Sequence, residues 1–236
     1  MSCLAIIPAR GGSKRIPRKN IKHFCGKPII QYSLEAALQS GVFDEVMVST
    51  DDQEIADIAL AAGASVPFMR SETTANDHAT ISDVINEVLG KYKELGKTFN
   101  YYAVIYATAP MINAEYLREG YELLKSSSEG FLLPVVKYAY PPQRSYKVRH
   151  GVLEWNNPDA YFMRSQDIEP WYHDCGMFSF AKVEAFYNST PEERKKLPLI
   201  LSERVVQDID TEEDWKMAEI KYRLMHMEMM EDKGNG

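Results

Sequence analysis

The chain has 236 residues, 45% apolar and 26% charged, with a formal net charge of −7. That length suits one large domain, or one domain with a small insertion, in the composition range of an ordinary globule. The acidic total argues against a general nucleic-acid binder and no apolar run approaches a membrane span. The three cysteines, without a CxxC pairing, suggest neither a disulfide framework nor a zinc cage.

The first apolar run, residues 3–7, reads as a short buried strand. Positive charge follows it, whereas a secretory leader carries its charge in front of a longer apolar segment, so the expectation is a cytoplasmic protein. Residues 28–39 have helical periodicity, with Pro28 suited to the first turn and Gly41 just past the end. Residues 45–50 predict a second strand, 52–62 a helix, and 65–68 a short third strand. Over 81–94, apolar residues fall at Ile81, Val84, Ile85, Val88 and Leu89, one face of a helix. A strong central strand over 101–108 is followed by a helix over 114–125 and a strand over 130–136. Strands alternating with helices imply an α/β, three-layer Rossmann-like fold with a mostly parallel sheet.

The alternation breaks over about 137–165, a stretch rich in aromatics, Pro and Asn, with Arg149-His150-Gly151 as a turn between two strand-like segments. It predicts a small β-hairpin inserted into one domain spanning 1–236. Its apolar residues need a cover, and a second subunit supplies one, which makes a homodimer the expectation. A long loop packed on its own domain is the alternative. A strand at 177–180, a short helix near 183–187 and a strand ending at Asp208 come next. The last helix starts near Thr211, where Thr211 and Asp214 fit a capping box, and the tail 224–236 is expected to fray.

From Met1 to Leu34 the chain holds Arg10, Lys14, Arg15, Arg18, Lys19, Lys22 and Lys27 and no acid. A loop leaving a parallel strand lies at the carboxyl edge of the sheet, where open α/β folds bind ligands. Gly11 and Gly12 permit a tight bend, successive backbone N–H groups can surround phosphate oxygens, and Ser13 adds a donor. Each cation about 4 Å from a phosphate gains on the order of 4 kcal/mol near a protein surface. The segment matches neither G-x-x-x-x-G-K-[ST] nor G-x-G-x-x-G. A solvated basic loop, facing RNA, is the competing reading.

The segment 6–21, "IIPARGGSKRIPRKNI", resembles the N-terminal signature of the cytidylyltransferases that activate nonulosonic acids, the group containing CMP-sialic acid synthetases. "VSTDD" at 48–52, "VPFMR" at 66–70, "YATAP" at 106–110, "RSQD" at 164–167 and "QDIDTEEDW" at 207–215 continue the resemblance in order. "RSQDIEPWYHDCGMF" is most similar to the pseudaminic acid branch of that group. The resemblance implies CTP and a nonulosonic acid as substrates. It places Arg10, Ser13, Lys19 and Asn20 at the phosphates and ribose, and Arg70 and Thr80 at the nucleotide. Lys19 is expected to meet transition-state charge and Arg10 to position phosphate.

Asp208 and Asp210 flank Ile209, and residues two apart on a strand share a face, so the pair can hold a hard divalent cation. The resemblance implies Mg²⁺ there, with the anomeric hydroxyl of a nine-carbon 2-keto acid attacking the α-phosphorus. Asp210 could instead cap the last helix. Asp51 and Asp52 read as caps first and ligands second. No residue stands out as a general base. For the sugar acid, Arg164 could meet the carboxylate, with Gln166 and Asp167 at hydroxyls or amides, although "RSQD" could also be a salt-bridged turn. Gln143, on the insertion, and His173 are further candidates; Asp174 beside His173 invites a metal reading with no partner motif, and Cys175 reads as packing. Sialic acid synthetases typically carry Gln where this chain has Tyr106, which points away from N-acetylneuraminate, with the neuraminic and legionaminic acids as alternatives. Two competing functions are a metal-dependent glycosyltransferase using Asp208-Ile209-Asp210 as D-x-D, and a non-catalytic CTP-binding regulator.

Overall fold

Strand β1 (Cys3–Pro8) is buried along five of its six residues because both faces of the sheet are covered. Cys3, Ala5 and Ile7 belong to one apolar cluster, with Ile30 and Leu34 of the first long helix. Leu4 and Ile6 belong to the other, with Val84, Ile85 and Val88. Successive side chains on a strand alternate sides, so one six-residue strand ties two helical layers together.

The computed structural model describes residues 2–234. After β1 the basic loop leads into a two-residue hairpin, β2 (His23–Phe24) and β3 (Lys27–Pro28), and helix α1 (Ile30–Ser40). Strand β4 (Glu45–Ser49), helices α2 (Gln53–Ala61), α3 (Glu72–Ala75) and α4 (Ile81–Glu94), strand β5 (Tyr101–Ile105), helix α5 (Ala114–Lys125) and strand β6 (Phe131–Lys137) follow. The insertion contributes β7 (Tyr146–Arg149) and β8 (Val152–Trp155). Then come β9 (Tyr172–Asp174), β10 (Phe178–Lys182), α6 (Val183–Asn188), β11 (Lys196–Leu201) and α7 (Glu212–Gly234).

The main sheet has the order β11-β6-β10-β5-β1-β4, with β9 added on β6. β4, β1 and β5 are parallel, β10 runs against β5 and β6, β11 is parallel to β6, and β9 is antiparallel to β6. Most strands therefore point one way, as expected, and the carboxyl ends of β1, β4 and β5 open on the same edge.

A third apolar cluster joins the chain's two ends. Ile16 from the basic loop, Phe24, Ile29 and Tyr32 pack with Ile209, Trp215 and Ala218. Ile209 is fully buried, so Asp208 and Asp210 are carried to the basic loop by the isoleucine between them. Burying such a side chain contributes about 1.5–3 kcal/mol.

Several expectations need correction. Residues 65–68 form one bridge, Met47 with Ser65, not a strand; Pro67 has no N–H to extend it. Pro28 pairs with His23 in the β2–β3 hairpin, and α1 starts two residues later. The last strand ends at Leu201, not Asp208. The Ser202 hydroxyl accepts the Arg204 N–H and starts a 3₁₀ turn over Glu203–Val205, so both aspartates lie in irregular chain. The tail expected to fray is helical through Gly234, and residues 235–236 lie outside the described residues. The Thr211–Asp214 capping box is present: the Asp214 N–H donates to the Thr211 hydroxyl, and the Thr211 N–H to the Asp214 carboxylate.

The predicted hairpin over 137–165 forms as β7 and β8, a two-stranded sheet separate from the main one. Its turn residues His150 and Gly151 have φ of 51° and 79°, the left-handed pair of a type I′ turn. Val148 is 72% exposed and Phe162 86%.

Candidate active site

A cavity of about 450 Å³ opens at the carboxyl edge of β1 and β5, lined among others by Arg10, Ser13, Lys19, Asn20, Arg70, Thr80 and Tyr106. Seven residues singled out in the sequence thus meet in one place. Gly11 and Gly12 are not among its lining residues, and the Gly11 N–H donates to Asp51 Oδ1 at 2.9 Å. Gly11 is needed for another reason: a Cβ there would lie 2.7 Å from Asp52 Oδ2. Gly12 faces open space. What the loop turns toward the cavity is side-chain charge.

That charge is balanced by acids from later segments. Arg10 donates to Asp77 Oδ1 at 2.8 Å and to the Asn76 carbonyl at 3.2 Å, and Lys14 also pairs with Asp77. The Lys14 ammonium, then Arg10, hold the Asp77 carboxyl below the usual range. Arg18, with a left-handed φ of 56°, pairs with Asp52 and Glu54, while Asp52 accepts the Ile55 N–H and so caps α2. Asp51 and Asp52 therefore shape the loop and a helix start.

Arg70 is only 8% exposed and donates from Nε to the Ser49 hydroxyl at 3.0 Å and from NH2 to the Ser49 carbonyl at 2.6 Å. Burial pushes its pKa down, opposed by Asp51 and Glu87. Asn20 donates to the Arg10 carbonyl at 2.9 Å, fixing the loop's exit from β1. Thr80 caps α4, its hydroxyl donating to Asp83 Oδ2 at 2.7 Å and accepting the Asp83 N–H at 3.2 Å.

Glu87 anchors α3 beneath this cavity. Burial alone raises its carboxyl, but Lys91, the Thr74 hydroxyl and the Ser71 N–H outweigh that and bring it down to about 2. A depressed folded pKa adds stability above the unfolded value, lost as pH falls through the folded one. Glu87→Gln is therefore expected to cost about 1–3 kcal/mol at pH 7. Urea unfolding of both proteins should show the gap closing as pH drops from about 4.5 toward 2. A pH-independent gap would refute the charge assignment.

Lys19 reaches the other end of the chain. Its Nζ donates to the Ile209 carbonyl at 2.6 Å and lies 3.5 Å from Asp210 Oδ1. Arg15 holds the same oxygen at 2.7 Å. A second cavity, about 360 Å³, is lined by Lys19, Tyr106, Thr108, Asp174, Gly176, Asp208 and Asp210, and shares Lys19, Tyr106 and Thr108 with the first. Asp208 has no ion pair among the described residues. Its carboxyl is raised by loss of surrounding water and then by Asp210, while Lys19 opposes the shift. Gly176 makes room for it: with φ of 64°, a Cβ there would lie 3.2 Å from Asp208 Cγ.

Among the described residues no group of three or more His, Cys, Asp or Glu is arranged to hold a metal. Two carboxylates open to a shared cavity fit a hard cation that takes its remaining ligands from phosphate and water.

On the sugar side the candidates are divided. Tyr106 stands where the cavities meet, its phenol raised by burial and by Asp174 and Asp208. His173 packs against Tyr138 with ring centroids 4.8 Å apart and planes tilted by 55°, and lines a recess with Asp208 and Asp210. Gln143, Arg164, Gln166 and Asp167 line none of these cavities. Gln143 donates to the Glu169 carbonyl at 2.9 Å and leaves Oε1 buried without a partner among the described residues. Arg164 pairs with Asp167 at 2.7 Å in a 3₁₀ turn, the salt-bridged turn of the alternative reading. Cys175 is buried packing, its thiol pushed up to about 12 by burial first. Sequence reasoning missed the roles of Asp77, Thr108 and Gly176; the one signal was Gly176 after a short polar stretch, marking a turn.

A family model described as cytidylyltransferase matches residues 4–225. A pseudaminic acid cytidylyltransferase of Campylobacter jejuni is 38% identical over 96% of this chain and 98% of its own length. A CMP-N,N'-diacetyllegionaminic acid synthase of Legionella pneumophila is 33% identical over 93% of this chain and 95% of its own length. A CMP:2-keto-3-deoxy-manno-octonic acid synthetase solved in complex with CTP shares the fold, with a TM-score of 0.70 and 21% identity over 97% of this chain and 100% of that one.

Proposed function

The chain belongs to the cytidylyltransferase family and is a CTP-dependent nucleotidyltransferase, and from that premise we propose that it couples CTP to pseudaminic acid, with Mg²⁺, giving the CMP-sugar and pyrophosphate. The observation that carries this reading is Lys19, whose ammonium meets the Ile209 carbonyl and the Asp210 carboxylate beside a cavity lined by Arg10, Ser13 and Arg70. In it the nucleotide lies in the larger cavity, with its phosphates at Arg10, Ser13, Lys14 and Lys19. Asn20, Arg70 and Thr80 shape the walls around base and ribose.

Asp208 and Asp210 would hold the cation together with phosphate oxygens. Bound there, Mg²⁺ offsets charge on the attacking and leaving oxygens. Arg10 and Lys14 exchange Asp77 for phosphate, and Lys19 turns from Asp210 toward the α-phosphate as charge develops. The C2 hydroxyl of the sugar acid attacks the α-phosphorus from the Tyr106 side and gives up its proton to solvent water, while the bond from the α-phosphorus to the α,β-bridging oxygen breaks and pyrophosphate leaves toward the basic loop. His173 flanks the incoming sugar. Arg164, Gln166, Asp167 and Gln143 stand outside these cavities, and the exposed Val148 and Phe162 of the insertion favour cover by a second copy of the chain.

No helix among the described residues is long and apolar enough to cross a membrane. Family membership favours nucleotidyl transfer over the glycosyltransferase reading of Asp208-Ile209-Asp210. The test is pyrophosphate release. It is expected only when CTP, Mg²⁺ and a nonulosonic acid are all present, with the highest kcat/KM for pseudaminic over legionaminic and neuraminic acids. Transfer of label from a CMP-sugar to an acceptor without pyrophosphate would overturn the reading.

A further inference from the structure

Asp174 ends β9, where it pairs with Val135 of β6. Its Oδ1 accepts the Gly176 N–H at 2.8 Å, closing a tight turn at the left-handed Gly176. The other carboxylate oxygen has no hydrogen bond and no ion pair among the described residues. Asp52, Asp77 and Asp210, by contrast, are each held by Arg or Lys.

Asp208 likewise has no ion pair among the described residues, and what sets Asp174 apart is its position. Asp174 lines the cavity of Lys19, Asp208 and Asp210, and also a further cavity of about 210 Å³ walled by Tyr102, Phe131 and Phe186. Among the described residues Tyr106 is the only other one in both linings, so the two side chains form a sill between these spaces. On the proposed function, the reacting carbon of the sugar acid sits on the Lys19 side. The acid group is bonded to that carbon, and the rest of the sugar extends over the sill. A carboxylate accepts hydrogen bonds and donates none. It repels the acid end of the substrate and attracts a donor farther along the molecule.

We infer that Asp174 is a specificity-determining residue whose free carboxylate oxygen accepts a hydrogen bond from a hydroxyl or amide N–H of the sugar acid beyond its reacting carbon. The inference rests on the proposed function and adds to it the selection of one donor.

Asp174→Asn tests it with little structural disturbance. The amide oxygen still accepts the Gly176 N–H, so the turn persists, while the free atom changes from acceptor to donor. The expected result is a 10- to 100-fold rise in KM for the sugar acid, equivalent to ~1.4–2.7 kcal/mol of lost hydrogen bonding to a charged group. The KM for CTP should stay within about two-fold and the melting temperature within a few degrees. In parallel, wild-type enzyme is assayed with sugar-acid analogues lacking single donors. One analogue should cost wild type a comparable factor and cost the variant almost nothing, since the interaction is already gone. An unchanged sugar KM in the variant, equal rises in both KM values, or a wild type indifferent to every analogue overturns the inference. The analogue series on wild type decides it should the variant not fold. If wild type releases no pyrophosphate with any nonulosonic acid, it is the proposed function that fails.

Discussion

Lys19→Met is expected to lower kcat/KM for CTP by about 10²–10³, the scale measured when one preorganised donor to developing charge is removed. The lysine side chain is 20% exposed and its ammonium is shared between a carbonyl and a carboxylate from a segment 190 residues away, so it is positioned before substrate arrives. Methionine keeps the stem's packing and removes the charge. Loss of the bond to the Ile209 carbonyl should itself cost about 1.5–3 kcal/mol at most, because Ile16, Phe24 and Trp215 still bury Ile209. The melt should therefore shift by only several degrees. Steady-state pyrophosphate release, with kcat and KM separated, checks this. A variant that loses stability in proportion to activity would make Lys19 a structural strut. A variant with near-normal kcat would end its assignment to the transition state.

Local patterns were legible where one helix or strand determines them. The stripe from Ile81 to Leu89 predicts α4 by periodicity alone, and Thr80, read in the sequence only as a nucleotide contact, is the residue that caps it. The central strand was read from the right residue but three residues too long, to 108 where β5 ends at Ile105, and Gly41 was placed correctly just past α1. The basic loop was read as charge awaiting an anion. In the structure that charge is already balanced by Asp77 and Asp210, respectively 67 and 195 positions away from the arginines they hold. Such pairs leave no local trace, since neither partner's neighbours betray the other. They also change the energetics: phosphates entering the cavity displace resident carboxylates, so the net attraction is smaller than a count of cations implies. The acidic couple does lie beside the basic loop, but not as read. It was placed on a strand, yet what presents it is the burial of Ile209 between the two carboxylates, against residues from the opening loop.

The couple supplies the other large effect. Asp208→Asn and Asp210→Asn are each expected to lower turnover by 10²-fold or more, on the order of 3 kcal/mol or more of barrier. Their consequences for the empty protein should differ in sign. Asp210 neutralises Arg15 and Lys19, so its replacement leaves two cations facing each other and lowers stability slightly, within the range of exposed pairs. Asp208 carries a raised carboxyl with no ion pair among the described residues, so its ionised form works against folding at neutral pH. That cost vanishes as pH falls below its folded pKa, and Asn removes it at every pH. Asp208→Asn should thus melt slightly above wild type at pH 7 without Mg²⁺, with the advantage disappearing in acid. Adding Mg²⁺ and CTP together should stabilise wild type more than either variant, by the linkage of ligand binding to folding. Melting curves with and without the two ligands, beside turnover across a Mg²⁺ titration, provide the readout. Near-wild-type turnover of both variants at limiting Mg²⁺ would remove the metal from Asp208 and Asp210, leaving Asp210 as a partner of Arg15 and Lys19.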